Sequence, residues 1–211
     1  MPVSYIHQDE NVYINVWDIT EDESFFVEKI DLLIHDLNTD YKQISQGHSR
    51  LQYLASRYLL AKMFNHSNKL EIYKSEFGKL YIKDQDINFS ISHSEKQVVV
   101  AISKYPVGID IEEKQRDISR IRHKFINTIE DSWVQNAEDI LSVWCCKEVV
   151  FKIYEKKEVD FLKHITINPL KSNTFEAFFN KKSIEKKYHL QKFNLESSIL
   201  ICGIDFDFVV L

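Results

Sequence analysis

Apolar and polar positions alternate over residues 11–19, which predicts a β-strand. Thr20 and Glu23 follow as a capping box, and Phe25, Phe26, Ile30 and Leu33 continue at helical spacing. A second helix is predicted over residues 49–64, where Leu51, Leu54, Tyr58, Leu59 and Met63 recur on one face. Short strands are expected around Ile72, around Leu80-Tyr81-Ile82, over residues 87–92 and over the valine-rich residues 97–103. Tyr105-Pro106 then interrupts the pattern, because proline has no N–H for a strand ladder and a fresh strand starts at once over residues 107–112. That interruption divides the chain into an N-terminal lobe, 1–105, and a C-terminal lobe, 106–211. Helices near 118–125 and 137–154 precede alternating runs at 174–179, 188–193 and 199–208, the pattern of an antiparallel sheet. Strand and helix followed by strands, in both halves, predicts an α+β fold.

Composition narrows the function classes. A chain of 211 residues that is 44% hydrophobic and 13% aromatic can bury a core without disulfide or metal staples. A net charge of −5 argues against a nucleic-acid partner. Cys145, Cys146 and Cys202 are odd in number, two are adjacent, and no C-x-x-C is present, so neither a disulfide framework nor a zinc knuckle is expected. The first residues lack a signal-peptide pattern, and no run of about 18 apolar residues occurs. A cytoplasmic protein without a membrane partner is the expectation. Charge is uneven, however. Residues 1–40 are strongly acidic, whereas Arg50, Arg57, Lys62, Lys69, Lys74, Lys79 and Lys83 make residues 50–83 basic. Such a stretch is either a solvated face or a surface for an anionic ligand.

Three constellations carry chemistry. In Gly108-Ile109-Asp110-Ile111-Glu112 the alternation of a strand puts both carboxylates on one face. That is a donor pair suited to a hard cation such as Mg²⁺, or simply a solvated strand face. On the helix that follows, Trp144, Glu148 and Lys152 fall at i, i+4 and i+8, so an aromatic ring, a carboxylate and an ammonium share a stripe. The third is Asn88-Phe89-Ser90-Ile91-Ser92-His93-Ser94, where Ser92 and His93 at a strand end suit either phosphate donation or local turn bonding. Upstream, Lys74 and Lys79 flank Gly78, which would permit close backbone approach to an anion.

In this order the elements resemble the larger, monomeric class of 4′-phosphopantetheinyl transferases. The family pattern is matched by Gly78-Lys79, by Phe89 to Ser94, by Val107 to Glu112 and by Trp144 to Lys152, with Phe125 and Glu130 standing for its intervening Phe and Glu. Leu80, Ser90 and Val149 replace a usual proline, asparagine and small residue, and none of these departures removes a charge. The resemblance implies two similar α+β lobes related by a pseudo-twofold axis, with coenzyme A in the cleft between them. It implies transfer of the 4′-phosphopantetheine arm to a serine of an apo acyl or peptidyl carrier protein, releasing adenosine 3′,5′-bisphosphate. It also implies that Asp110, Glu112 and Glu148 ligate Mg²⁺, and that Lys152, Lys79, Ser92 and His93 meet phosphates of coenzyme A. Lys74 stands where the family approaches the 3′-phosphate, and Ser49, Arg50 and Arg57 are weaker candidates. Glu148 is a candidate general base as well as a ligand. The same carboxylates would serve a metal-dependent hydrolase of coenzyme A or another nucleotide diphosphate, although neither the Nudix spacing nor a Walker P-loop is present. A non-catalytic carrier-binding protein would have no need of Asp110, Glu112, Glu148 and Lys152 together.

Overall fold

The computed structural model describes residues 3–35, 40–45, 47–64, 69–156 and 158–207. The fold is α+β, with antiparallel sheets and helices, and the chain divides into two compact units, Met1–Lys104 and Tyr105–Leu211.

In the first unit, β1 (Val3–Gln8), β2 (Tyr13–Asp18), β5 (Asn88–His93) and β6 (Gln97–Ser103) form a sheet in the order β1-β2-β6-β5. Helix α3 (His48–Phe64) packs on it, α1 (Glu23–Ile30) packs against α3, and the short α2 (Asp40–Gln43) precedes α3. Their core joins Trp17, Phe26, Ile30, Leu54, Tyr58 and Leu59 to Val98 and Val100. Strands β3 (Ile72–Lys74) and β4 (Leu80–Ile82) make a separate hairpin.

The capping box expected at Thr20 lies elsewhere. Asp22 is the N-cap, accepting from the Phe25 N–H at 3.0 Å, and the α-helix ends at Ile30, before Leu33. A short carboxylate is a favoured N-cap, and with Glu23 as the first helical residue it is not the N3 partner of a box at Thr20. Glu21 is drawn off to the Trp17 indole N–H at 3.1 Å.

In the second unit, β7 (Val107–Glu113), β8 (Ile165–Pro169), β9 (Thr174–Lys181), β10 (Ile184–Asn194) and β11 (Ser198–Ile204) form a sheet in the order β7-β11-β10-β9-β8. Helix α5 (Ala137–Tyr154) lies across it, chiefly on β7 and β11. The expected helix at 118–125 is a 3-10 turn, Ser119–Lys124, followed by α4 (Thr128–Asp131), while α6 (Phe161–His164) leads into β8. The last strand stops at Ile204, and Phe208, at the end of the predicted run, lies outside the described residues. Strands β1 and β8 and helices α2, α4 and α6 are too short or too polar to have stood out as periodic segments.

Two glycines set how closely α5 approaches the sheet. A Cβ on Gly108 would stand 2.4 Å from the Val149 carbonyl oxygen, and one on Gly203 would stand 2.4 Å from Leu190 Cδ2 and 3.0 Å from Val149 Cγ1. At Gly108 only a bare backbone admits the helix, whose own carbonyl is the obstacle, whereas at Gly203 the nearest atom is the movable tip of Leu190 and Val149 stands next to it. Branched Val149, in place of the small residue of the family pattern, therefore packs directly over them. No helix among the described residues is long and apolar enough to cross a membrane.

Candidate functional site

Gly108, Asp110 and Glu112 alternate along β7 on the face that meets α5, while Ile109 and Ile111 on the opposite face are fully buried. The two carboxylates are not a solvated strand face. Asp110 is only 4% exposed and Glu112 only 7%. A charge so deeply placed needs a partner, and each has a cationic one. Lys152 donates to Asp110 Oδ1 at 2.8 Å and to the Ile109 carbonyl at 2.7 Å, whereas the guanidinium of Arg116, in the turn after β7, pairs with Glu112 Oε1. The Trp144 indole N–H also lies near Glu112 and opposes the rise of its pKa, while its ring packs on Phe125 and Phe161 at 5.2 and 5.7 Å between centroids.

Glu148 is the third carboxylate. Burial, reinforced by the facing charges of Asp110 and then Glu112, pushes it up to about 7 against the pull of Lys152 and Arg116. Burial likewise raises Glu112, with the Arg116 bond opposing and Asp110 assisting. The thiol of Cys145, buried against Asp110, is held well above its ordinary range by that burial and the neighbouring carboxylates, and remains protonated.

Asp110, Glu112, Glu148 and Lys152 are thus one electrostatic cluster. Among the described residues, however, no group of three or more His, Cys, Asp or Glu side chains is drawn together as a ready-made metal cage. The donor chemistry still fits a hard divalent cation. Three oxygen donors project from one strand and one facing helix, and Glu148 lacks a direct ion pair among the described residues.

One turn earlier α5 carries a different arrangement. Lys147 is fully buried and donates to Glu130, to the Phe161 carbonyl at 2.9 Å, to the Ile165 carbonyl at 2.8 Å and to the Phe125 carbonyl. Glu130 also accepts from the N–H groups of Asn127 and Ile167, at 2.8 and 2.9 Å, completing the capping box of α4. Burial lowers the Lys147 ammonium from the usual lysine range. Every donor and acceptor here is spent inside the protein, so the pair fixes α5 in place without facing a ligand.

The first unit holds the remaining candidates. Lys74 is exposed at the end of β3, and Lys79 is partly buried beside the Tyr81 ring, its ammonium 5.6 Å from the centroid. Burial draws Lys79 down to about 8. Gly78 takes φ +94° and closes the turn by donating to the Ser75 carbonyl at 3.0 Å, so its glycine is required by the hairpin itself. Ser92 is buried and His93 exposed at the end of β5, and the following Ser94 carbonyl accepts from Gln52 of α3. Arg50 is committed to structure, donating to the Ile44 carbonyl at 2.9 Å and pairing with Glu23 at 3.4 Å. Arg57 lies over the Tyr53 ring at 4.1 Å.

Two features escaped sequence reasoning. Arg116 lies outside every motif, and its only signal was a cation four residues beyond Glu112. The enclosed role of Lys147 was hidden because its partner Glu130 stands 17 residues away on another helix, a pairing that no helical spacing signals.

Comparison with known proteins follows the second unit. Residues 106–203 match the 4′-phosphopantetheinyl transferase superfamily. The chain is 34% identical over 109 residues to the 4′-phosphopantetheinyl transferase gsp of Aneurinibacillus migulanus, covering 49% of this chain and 46% of that protein. It is 33% identical over 144 residues to a putative 4′-phosphopantetheinyl transferase of Haemophilus influenzae, covering 62% and 61%, and 33% identical over 84 residues to a Bacillus subtilis 4′-phosphopantetheinyl transferase, covering 36% and 38%. The matched spans thus run from about two fifths to three fifths of these relatives' lengths. Residues 106–203, which hold the whole carboxylate cluster, are thus a domain of the 4′-phosphopantetheinyl transferase superfamily.

Proposed function

We propose that the protein transfers the 4′-phosphopantetheine group of coenzyme A to a serine of an apo acyl or peptidyl carrier protein, with Mg²⁺, as a monomer of two related lobes. The observation that carries this reading is the burial of Asp110 and Glu112 beneath α5, beside Glu148 and Lys152, in a domain of this superfamily.

Asp110, Glu112 and Glu148 would hold the cation. A divalent ion there would supply positive charge at the pyrophosphate oxygens, where charge accumulates in the transition state. Lys152 has three donors, of which two serve Ile109 and Asp110, and it is 24% exposed, so its third donor can meet a phosphate oxygen. The serine oxygen forms a new bond to the phosphorus that bears the pantetheine arm. The bond from that phosphorus to the bridging oxygen breaks, and adenosine 3′,5′-bisphosphate leaves with the electron pair. The serine proton passes to Glu148, the carboxylate of the three without a direct ion pair among the described residues. Lys74, Lys79, Ser92 and His93 are assigned to phosphates of coenzyme A.

The test is mass spectrometry of a panel of apo carrier proteins after incubation with the protein, coenzyme A and Mg²⁺. A gain of about 340 Da on one serine, the mass of the arm, is the expected result. Consumption of coenzyme A with no modified carrier would establish a hydrolase instead.

A further inference from the structure

The ion pair between Arg116 and Glu112 has no place in the transfer just described, yet it occupies an oxygen that a cation at this cluster needs. Arg116 follows β7 immediately, its backbone N–H bonding the Glu113 carbonyl at 2.9 Å, so the chain delivers the guanidinium back onto the strand that carries the carboxylates. It bonds Glu112 directly and acts electrostatically on Asp110 and Glu148 as well. Its exposure is very unlike that of its partner, at 47% for the Arg116 side chain against 10% for Glu112. The carboxylate is fixed in the protein, while the guanidinium reaches it from the solvent side and can leave without disturbing the core. Lys152, by contrast, is tied to a backbone carbonyl on the same strand.

We propose that Arg116 is a displaceable counter-ion of the carboxylate cluster, held on Glu112 until a divalent cation takes its place, and therefore that it sets how tightly the protein binds that cation. This rests on the assignment of Asp110, Glu112 and Glu148 as ligands. A guanidinium is charged at every accessible pH, so it competes with the cation both for the Glu112 oxygen and through charge repulsion. Its removal frees an oxygen donor and lifts that repulsion together. Arg116 is a specificity-determining residue of the cation site and not a catalytic one.

The experiment is direct titration of the full chain with Mn²⁺ alone, without coenzyme A or carrier, followed by calorimetry or by the loss of the free-ion paramagnetic resonance signal. Arg116→Ala is expected to bind Mn²⁺ about tenfold more tightly than the natural protein, on the scale of a unit charge removed from a partly exposed site. Arg116→Lys, which restores the charge, is expected to fall near the natural affinity. With Glu112→Gln already present, Arg116→Ala should gain far less, since the contested oxygen no longer carries charge. Equal or weaker binding by Arg116→Ala, with natural binding abolished by Asp110→Asn, would overturn the counter-ion role while leaving the cation site standing. No Mn²⁺ binding by either the natural protein or Arg116→Ala would overturn both.

Discussion

Helix α5 presents two lysines little more than a turn apart, and the protein treats them in opposite ways. Lys147 is enclosed, with Glu130 and three backbone carbonyls consuming its ammonium. Lys152 is a quarter exposed and holds a single carboxylate oxygen and a single carbonyl beside two further carboxylates. The first site is closed by its own hydrogen bonds and the second is left short of positive charge. Residue type therefore says little about role here. What separates the anchor from the proposed reaction site is whether the surrounding backbone has already satisfied the group.

The contrast breaks most sharply at the enclosed end. Lys147→Ala leaves Glu130 a buried charge without its partner, and should cost about 3–5 kcal/mol of stability in urea unfolding. Lys147→Arg should not rescue it, because the planar fork cannot reproduce a tripod of carbonyl contacts. Lys152→Ala strips buried Asp110 of its cationic partner and so also costs stability, less than Lys147→Ala because this end is partly exposed. It should, however, lower carrier modification by about 10²–10³-fold, far more than the lost stability explains. If Lys152→Ala instead unfolds the chain and Lys147→Ala spares it, the assignment of the two ends is inverted.

Gly108→Ala probes what keeps the two ends in register. Its new methyl meets backbone, the Val149 carbonyl oxygen, and not a flexible side-chain tip. A loss of about 1–3 kcal/mol is expected, with a larger fall in transfer rate than stability alone explains, because β7 and Glu148 move apart. Unchanged rate in a stable variant would show that the separation of helix and strand is not critical.

The smallest expected effect concerns Lys79 in the first unit. With its ammonium at about 8, it is charged below that pH and neutral above. Affinity for coenzyme A should therefore weaken as pH rises past about 8, by less than about tenfold, and Lys79→Met should flatten the profile. The folding sign is opposite. An unfolded lysine holds its proton to about 10.4, so the unfolded state binds more protons between these values and Lys79 contributes stability that rises with pH there.

Periodicity made much of the architecture legible. Helix α5 spans the residues its pattern predicts, and β6 and β7 fall where valine-rich and alternating runs place them. These elements are long and bury one consistent face, so local pattern and tertiary demand agree. The N-cap of α1 and the 3-10 turn at Ser119–Lys124 depended on which of several neighbouring groups makes a hydrogen bond, a local competition that hydrophobic period alone does not resolve.

The order of the motifs along the chain, the paired positions of Asp110 and Glu112 on a strand, and the stripe of Trp144, Glu148 and Lys152 were determined by the amino-acid sequence alone, because strand and helix periods dictate which side chains share a face. Only the tertiary structure decided that Lys147 is enclosed and Lys152 open, that two glycines let the helix settle onto the strand, and that Arg116 reaches Glu112. Burial and charge neutralisation are properties of the whole packed neighbourhood, and no local period encodes them.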